Sequence, residues 1–240
     1  MIVQACINGA RSPDYHAALP LTPYAMAADA ADCVAAGAAE IHLHVRDTEK
    51  HESLSPTAFD ETILACRRRC PGTQIGVSTG AWIEADDDRT LAAIDGWTER
   101  PDYASVNLSE AAAPQVMERL TARGIGIEAG LASVADAERF VALDRGRPVL
   151  RILIEIGEQS IEEAMHVTGA IADVLDRSGI RRPILAHGMD ETVWHFVRLA
   201  VERRWSAPRS RFSERSVAKP LSKAAPHNFP RVPFPPRGNG

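Results

Sequence analysis

Residues 41–47 read Ile-His-Leu-His-Val-Arg-Asp, an apolar run that carries two imidazoles, a guanidinium and a carboxylate. In an extended strand successive side chains point to opposite faces, so His42, His44 and Arg46 share one face and Ile41, Leu43 and Val45 the other. Two imidazoles on one face at this spacing can reach a single metal ion. A zinc ion held by neutral histidine nitrogens, with one position left open, polarises a carbonyl oxygen or activates water. The competing reading is a pair of histidines that merely hydrogen-bond inside a strand-lined core.

The elements that position this segment follow a regular alternation. Strands are predicted at residues 2–8, 41–45, 74–77, 103–107, 126–128, 149–154 and 183–186, with helical patterns near 23–36, 56–70, 85–97, 112–123, 133–143, 160–178 and 191–204. Such alternation implies parallel strands joined by crossover helices. Thr22-Pro23 and Ser55-Pro56 each set a capping hydroxyl before a proline at the first helical position, and Gly37, Gly124 and Gly179 stop helices. The turn after the first strand, Ile7-Asn8-Gly9-Ala10-Arg11, lacks the glycine fingerprint of a dinucleotide-binding doubly wound sheet. Instead, Asn8, Arg46-Asp47, Ser78-Thr79-Gly80, Asn107, Ser109, Glu110, Glu128 and His187-Gly188 all fall at strand C-terminal ends. That is where a (β/α)8 barrel assembles its active site. The predicted fold is therefore α/β, a (β/α)8 TIM barrel, with seven units legible and the eighth strand and final helix in question.

A chain of 240 residues with 45% hydrophobic content can bury a substantial core as one domain, here residues 1–204. No charged leader precedes an apolar stretch and no run approaches membrane-spanning length, which points to a cytoplasmic protein. Cys6, Cys33, Cys66 and Cys70 include no Cys-x-x-Cys pair and read as reduced thiols. From Arg203 onward there are nine Lys and Arg against the single acid Glu214, so the net charge of -5 combines an acidic body with a basic end. An acidic body is a poor nucleic-acid binder, and nothing suggests a membrane partner. Residues 205–240 read as a Pro/Arg-rich tail expected to be disordered.

Four segments, His42-Leu43-His44-Val45-Arg46-Asp47, Val77-Ser78-Thr79-Gly80, Ser105-Val106-Asn107-Leu108 and Gly126-Ile127-Glu128, in this order resemble the β-keto acid cleavage enzymes. The resemblance spans about residues 2–204 and is most specific in the His-x-His-x-Arg strand followed by the Ser-Thr-Gly turn. It implies a (β/α)8 barrel with one zinc ion, a homo-oligomer, and an exchange in which a β-keto acid and acetyl-CoA give acetoacetate and a new acyl-CoA. It also implies zinc on His42 and His44, substrate held by Ser78, Thr79, Gly80 and Asn107, and catalytic parts for Arg46 and Glu128. The chemistry suits these residue types. Cleaving a carbon–carbon bond beside a ketone puts negative charge on the ketone oxygen, which a Lewis acid stabilises without a proton transfer. A Ser-Thr-Gly turn at the start of a helix would offer a carboxylate a hydroxyl, backbone N–H groups and a positive dipole end.

The end of the chain departs from that pattern. The family carries an arginine and a Gly-x-Glu-Asp element on its eighth strand, the glutamate being the third zinc ligand and the aspartate catalytic. After Arg204 this chain reads Trp-Ser-Ala-Pro-Arg-Ser-Arg-Phe-Ser-Glu-Arg-Ser, with Glu214 as the nearest substitute ligand and Arg215 where an acid belongs. Charge, proline content and periodicity all change near residue 203, as a shifted reading frame would produce. Two further readings stay open on these residues: an impaired or decayed barrel serving as a binding scaffold, and an amidohydrolase-type metal hydrolase. The latter expects His-x-His on the first strand and further histidines on the middle strands.

Overall fold

Strand alternation decides which side of the sheet the helices cover. In a computed structural model, which describes residues 2–144, 149–205 and the backbone of 207–210, the elements run β1 Val3–Cys6, α1 Pro23–Ala35, β2 Glu40–Leu43, α2 Pro56–Arg69, β3 Gln74–Ser78, α3 Asp87–Gly96, β4 Tyr103–Asn107, α4 Ala113–Ala122, β5 Gly126–Leu131, α5 Val134–Asp144, β6 Arg151–Ile156, α6 Ile161–Ser178, β7 Ile184–Gly188, α7 Val193–Arg203 and β8 Ala207–Ser210. Ile41, Leu43, Ile75, Val77, Val106, Ile127, Ile152 and Ile154 join one apolar core with the helix residues Met26, Phe59, Ile63, Met117, Leu120, Phe140 and Ile171. Their alternates along the same strands, among them Gln4, Glu40, His42, Tyr103, Glu128 and Arg151, meet one another instead. The strands therefore carry a polar row inward and an apolar row toward the helices.

All the strand pairings are parallel, in the hydrogen-bonded order β7-β6-β5-β4-β3-β2-β1-β8. The seven units legible in the sequence are present in their expected order, and the fold is an α/β barrel. An eighth strand also forms, although Ala207–Ser210 shows no apolar alternation. It pairs with β1 in the register Val3↔Ala207 to Cys6↔Ser210. Backbone groups on the open edge of β1 need only other backbone groups as partners, and a strand at the end of the order tolerates Pro208. β8 also comes within 8 Å of β7 in Cα positions, which brings the two ends of the order together. Glu214 and the rest of the basic segment lie outside the described residues.

Local signals behave unevenly. Thr22 caps α1 by accepting from the Ala25 N–H at 3.2 Å, and α6 ends at Gly179 with φ 75°, a left-handed position that glycine adopts without a Cβ clash. Ser55, expected to cap α2, makes no side-chain cap bond. Phe59 and Trp97 stack face to face, with centroids 3.7 Å apart, between α2 and the end of α3. Among the described residues no helix is long and apolar enough to cross a membrane.

Candidate active site at the strand C-terminal ends

Part of the inward polar row, Gln4, His42, Asn107, Glu128 and Glu155, lines a cavity of about 550 Å³ at the C-terminal ends of the strands. Beneath that lining Arg151 forks between two carboxylates, with Nε 2.6 Å from Glu128 and Nη1 2.6 Å from Glu40. Glu128 has no solvent exposure, and its oxygens accept from the Ser105 hydroxyl at 2.6 Å and from Gln4 at 3.1 Å as well. The ring of Tyr103 lies under the Arg151 guanidinium at 4.3 Å, and its hydroxyl accepts from Gln4 and donates to the Ile41 carbonyl. Burial pushes the Glu40 carboxyl above its ordinary range, a shift that the hydrogen bond and charge of Arg151 offset only in part. Glu128 thus borders the cavity as a fully bonded member of an ion network rather than as a free carboxylate.

Above this network stand His42 and His44, whose ring centroids are 5.5 Å apart at 75°. His42 projects from β2, while His44 follows the last residue of that strand, and both line the cavity. Burial, reinforced by His44, Arg151 and His187, holds His42 well below the usual histidine range, which leaves it neutral. Its Nδ1 is buried and has no hydrogen-bond partner among the described residues. A neutral imidazole with a buried ring nitrogen that no protein group satisfies suits a metal ligand. On His44, Nδ1 lies 2.5 Å from Glu52 Oε1, which leaves Nε2 as the ring's other nitrogen. A zinc ion therefore fits the donor chemistry of these two rings. No third His, Cys, Asp or Glu converges with them into a three-ligand group among the described residues.

Arg46 does not continue the strand face predicted for it. β2 stops at Leu43, and the Arg46 guanidinium turns to the carbonyls of Gly9 at 2.6 Å and Arg11 at 3.0 Å, tying down the loop after β1. It does not border the cavity. Ser78, Thr79 and Gly80 also stand outside the lining. Ser78 Oγ accepts from the Gly80 N–H at 3.3 Å and Thr79 Oγ1 donates to the Ser105 carbonyl at 2.8 Å. The next helix begins only at Asp87, capped by Asp86, so the turn has no helix dipole behind it. Gly80 serves packing: a Cβ there would sit 2.3 Å from the Trp82 ring. Asn107 does line the cavity, with its Nδ2 donating to Glu110 at 2.9 Å. Glu110 also accepts from the Ala81 N–H, joining the loops after β3 and β4.

His187, one of the strand-end polar groups of the sequence, lines the cavity beside Glu155, which no motif announced. His187 Nδ1 lies 3.3 Å from Glu155 Oε1 across β6 and β7. Burial would raise Glu155, yet its hydrogen bond to His187 and the nearby charge of His44 hold it below the usual carboxylate range. At the rim Arg11 pairs with Asp190 at 2.6 Å, connecting the loops after β1 and β7. Asp190 sits at φ 46° in a 3-10 turn. The parity of the inward row, read strand by strand, would have found Gln4, Glu155 and Arg151.

These shifts fix the sign of an acid response. His42 is depressed, so the unfolded chain takes up a proton near pH 6.5 that the native state refuses. Its contribution is intact above that pH and declines below it. Glu155 is depressed too, so its contribution is present above the ordinary glutamate range and is lost as the pH falls through its folded value. The melting temperature of metal-free protein is expected to fall from pH 7.5 to 5, and His42→Gln should flatten the upper part of that decline. A thermal melt series settles it, and a wild-type melting temperature that holds or rises toward pH 5 contradicts the assignment.

The sequence profile of the beta-keto acid cleavage enzymes matches residues 1–156. The chain is 34% identical over 88 residues to the 3-keto-5-aminohexanoate cleavage enzyme of Fusobacterium nucleatum subsp. nucleatum, covering 36% of this chain and 32% of that enzyme. It is 29% identical over 108 residues to the enzyme of the same name from Acetoanaerobium sticklandii, covering 45% of this chain and 38% of that one. The matched segments thus span about a third of the length of those relatives. Among solved structures, apo ObcA superposes with a TM-score of 0.62 at 14% identity over 80% of this chain and 55% of that one, a likeness of fold. With the profile covering more than half of the sequence and the His-x-His strand set at the mouth of the expected barrel, the chain belongs to the beta-keto acid cleavage enzyme family.

Proposed function

We propose that this protein cleaves a β-keto acid by exchange with acetyl-CoA, using zinc held by His42 and His44. The reaction balances as one acyl exchange: the β-keto acid gives up its acyl group to CoA, and the acetyl group of acetyl-CoA takes its place to leave acetoacetate. The observation that carries the reading is the pair of imidazoles, His42 held neutral by burial with one orphaned buried nitrogen and His44 beside it, facing one cavity in a member of this family. Zinc bound there supplies Lewis-acid polarisation of the substrate ketone. His187, held by Glu155 on the opposite wall, presents a ring nitrogen from which a proton can be exchanged with the substrate. Asn107 and Ser109 offer polar contacts along the wall, and Arg11 supplies a cation at the rim for an anionic substrate.

The test is direct. Purified, zinc-loaded protein is incubated with acetyl-CoA and a panel of β-keto acids, and acetoacetate and the new acyl-CoA are quantified by mass spectrometry. Turnover is expected to depend on zinc and to fall about 100-fold or more in His44→Ala, the scale of losing a key electrophilic contact. Folded, zinc-loaded protein that forms neither product with any member of the panel overturns the reading and favours a binding scaffold.

A further inference from the structure

Glu52 lies on no predicted element and belongs to no recognised motif, yet both of its carboxylate oxygens are committed at the site. Oε1 is 2.5 Å from His44 Nδ1, and Oε2 accepts from the Trp82 indole N–H at 3.0 Å. The carboxylate is placed by a stiff return of the chain after β2. Asp47 Oδ1 accepts from the N–H groups of Glu49 and His51, and Lys50 takes a left-handed φ of 70°. Arg46 and Glu52 then form an antiparallel bridge, and the Ser53 N–H donates to the Val45 carbonyl. The His44 and Glu52 side chains are 11% and 13% exposed. Trp82, held flat over Gly80, lies nearly parallel to the His44 ring at 6.5 Å and forms part of the cavity wall.

We propose that Glu52 is the positioning residue of this site, holding His44 as the Nδ1-protonated imidazole with Nε2 bare for the metal and fixing the Trp82 wall through the same carboxylate. The inference rests on the zinc reading above for its purpose, and on the hydrogen bonds alone for its geometry. A carboxylate that accepts from one ring nitrogen fixes the tautomer and the orientation of the other, and losing such a partner weakens metal binding about 10- to 100-fold. Unconstrained histidine favours the proton on Nε2, the nitrogen the metal needs. The hydrogen bond therefore reverses the intrinsic preference before any metal arrives.

Two readouts test this without reference to turnover. In metal-free protein, ¹⁵N-edited histidine spectra should show His44 with its proton on Nδ1, and the Trp82 indole N–H should be downfield and slow to exchange, assigned by its loss in Trp82→Phe. Glu52→Ala should move His44 toward the Nε2-protonated form and speed exchange at Trp82, while weakening zinc binding in a chelator competition about 10- to 100-fold. Glu52→Gln keeps one carbonyl acceptor, so it should recover part of the affinity, and it serves as the variant if alanine fails to fold. A wild-type His44 protonated on Nε2, or unchanged tautomer and affinity in both variants, overturns the proposal. Wild-type protein with the expected tautomer that takes up no zinc supports the clamp and removes the zinc reading instead.

Discussion

Replacing Arg151 by methionine is expected to cost about 3–5 kcal/mol of folding stability at pH 8, the penalty for leaving buried charge unpaired. Arg151 is 3% exposed and is the cation that faces both Glu40 and Glu128, whose side chains are 2% and 0% exposed. Its removal leaves two carboxylates facing each other in the barrel floor, with Gln4 and Ser105 as neutral donors. The Glu40 carboxyl is already raised by burial even with its partner present, so in the variant it is poised to take up a proton. A carboxyl whose folded value lies above its unfolded one is destabilising at high pH and is relieved as the pH falls. The deficit of Arg151→Met should therefore shrink between pH 8 and pH 5.5. Urea unfolding at both pH values measures it. Equal stability of variant and wild type at pH 8 would show that the network contributes nothing.

Gly76→Ala should be nearly as damaging, at about 3 kcal/mol, the upper end for overpacking a closed core. Gly76 pairs with Tyr103 across β3 and β4, and a Cβ at that position would fall 2.0 Å from one atom of the Tyr103 ring and 2.1 Å from another. The ring cannot retreat cheaply, because its hydroxyl is bonded to Gln4 and Ile41 and its face to Arg151. It also lies 6.5 Å under the His42 ring. In a double-mutant cycle the alanine should cost almost nothing once Tyr103 is reduced to alanine, giving a coupling close to the whole single-mutant loss. Additive effects would contradict the steric account.

The sequence carried the barrel because each strand alternates so plainly. Ile41, Leu43, Ile75, Val77, Ile152 and Ile154 face the helices, and their neighbours face inward. His42 and His44 were legible for the same reason, as polar residues of one parity in an apolar run. Arg46 was misplaced because parity holds only while the strand lasts, and β2 ends three residues earlier. Ser78-Thr79-Gly80 looked like an anion-binding helix start from its residue types, although the helical pattern itself begins near residue 85 and α3 starts at Asp87. Glu52 and Trp82 were invisible for a different reason. Each acts through a partner brought close by tertiary folding, and nothing in the local pattern marks the pairing. The eighth strand escaped notice because backbone pairing with β1 leaves no signature in Ala207–Ser210.

That last ladder has a kinetic consequence. β1 leaves the ribosome long before β8, yet Val3 and Ala207 are register partners. At roughly 5–20 residues per second, synthesis of the intervening chain takes on the order of 10–40 seconds. One edge of β1 stays open throughout that interval, a template for pairing with strands of other nascent chains. Parallel sheets close slowly because each contact joins distant residues. Chaperone occupancy during synthesis, rather than the final folded stability, should then govern how much of this protein reaches its native form.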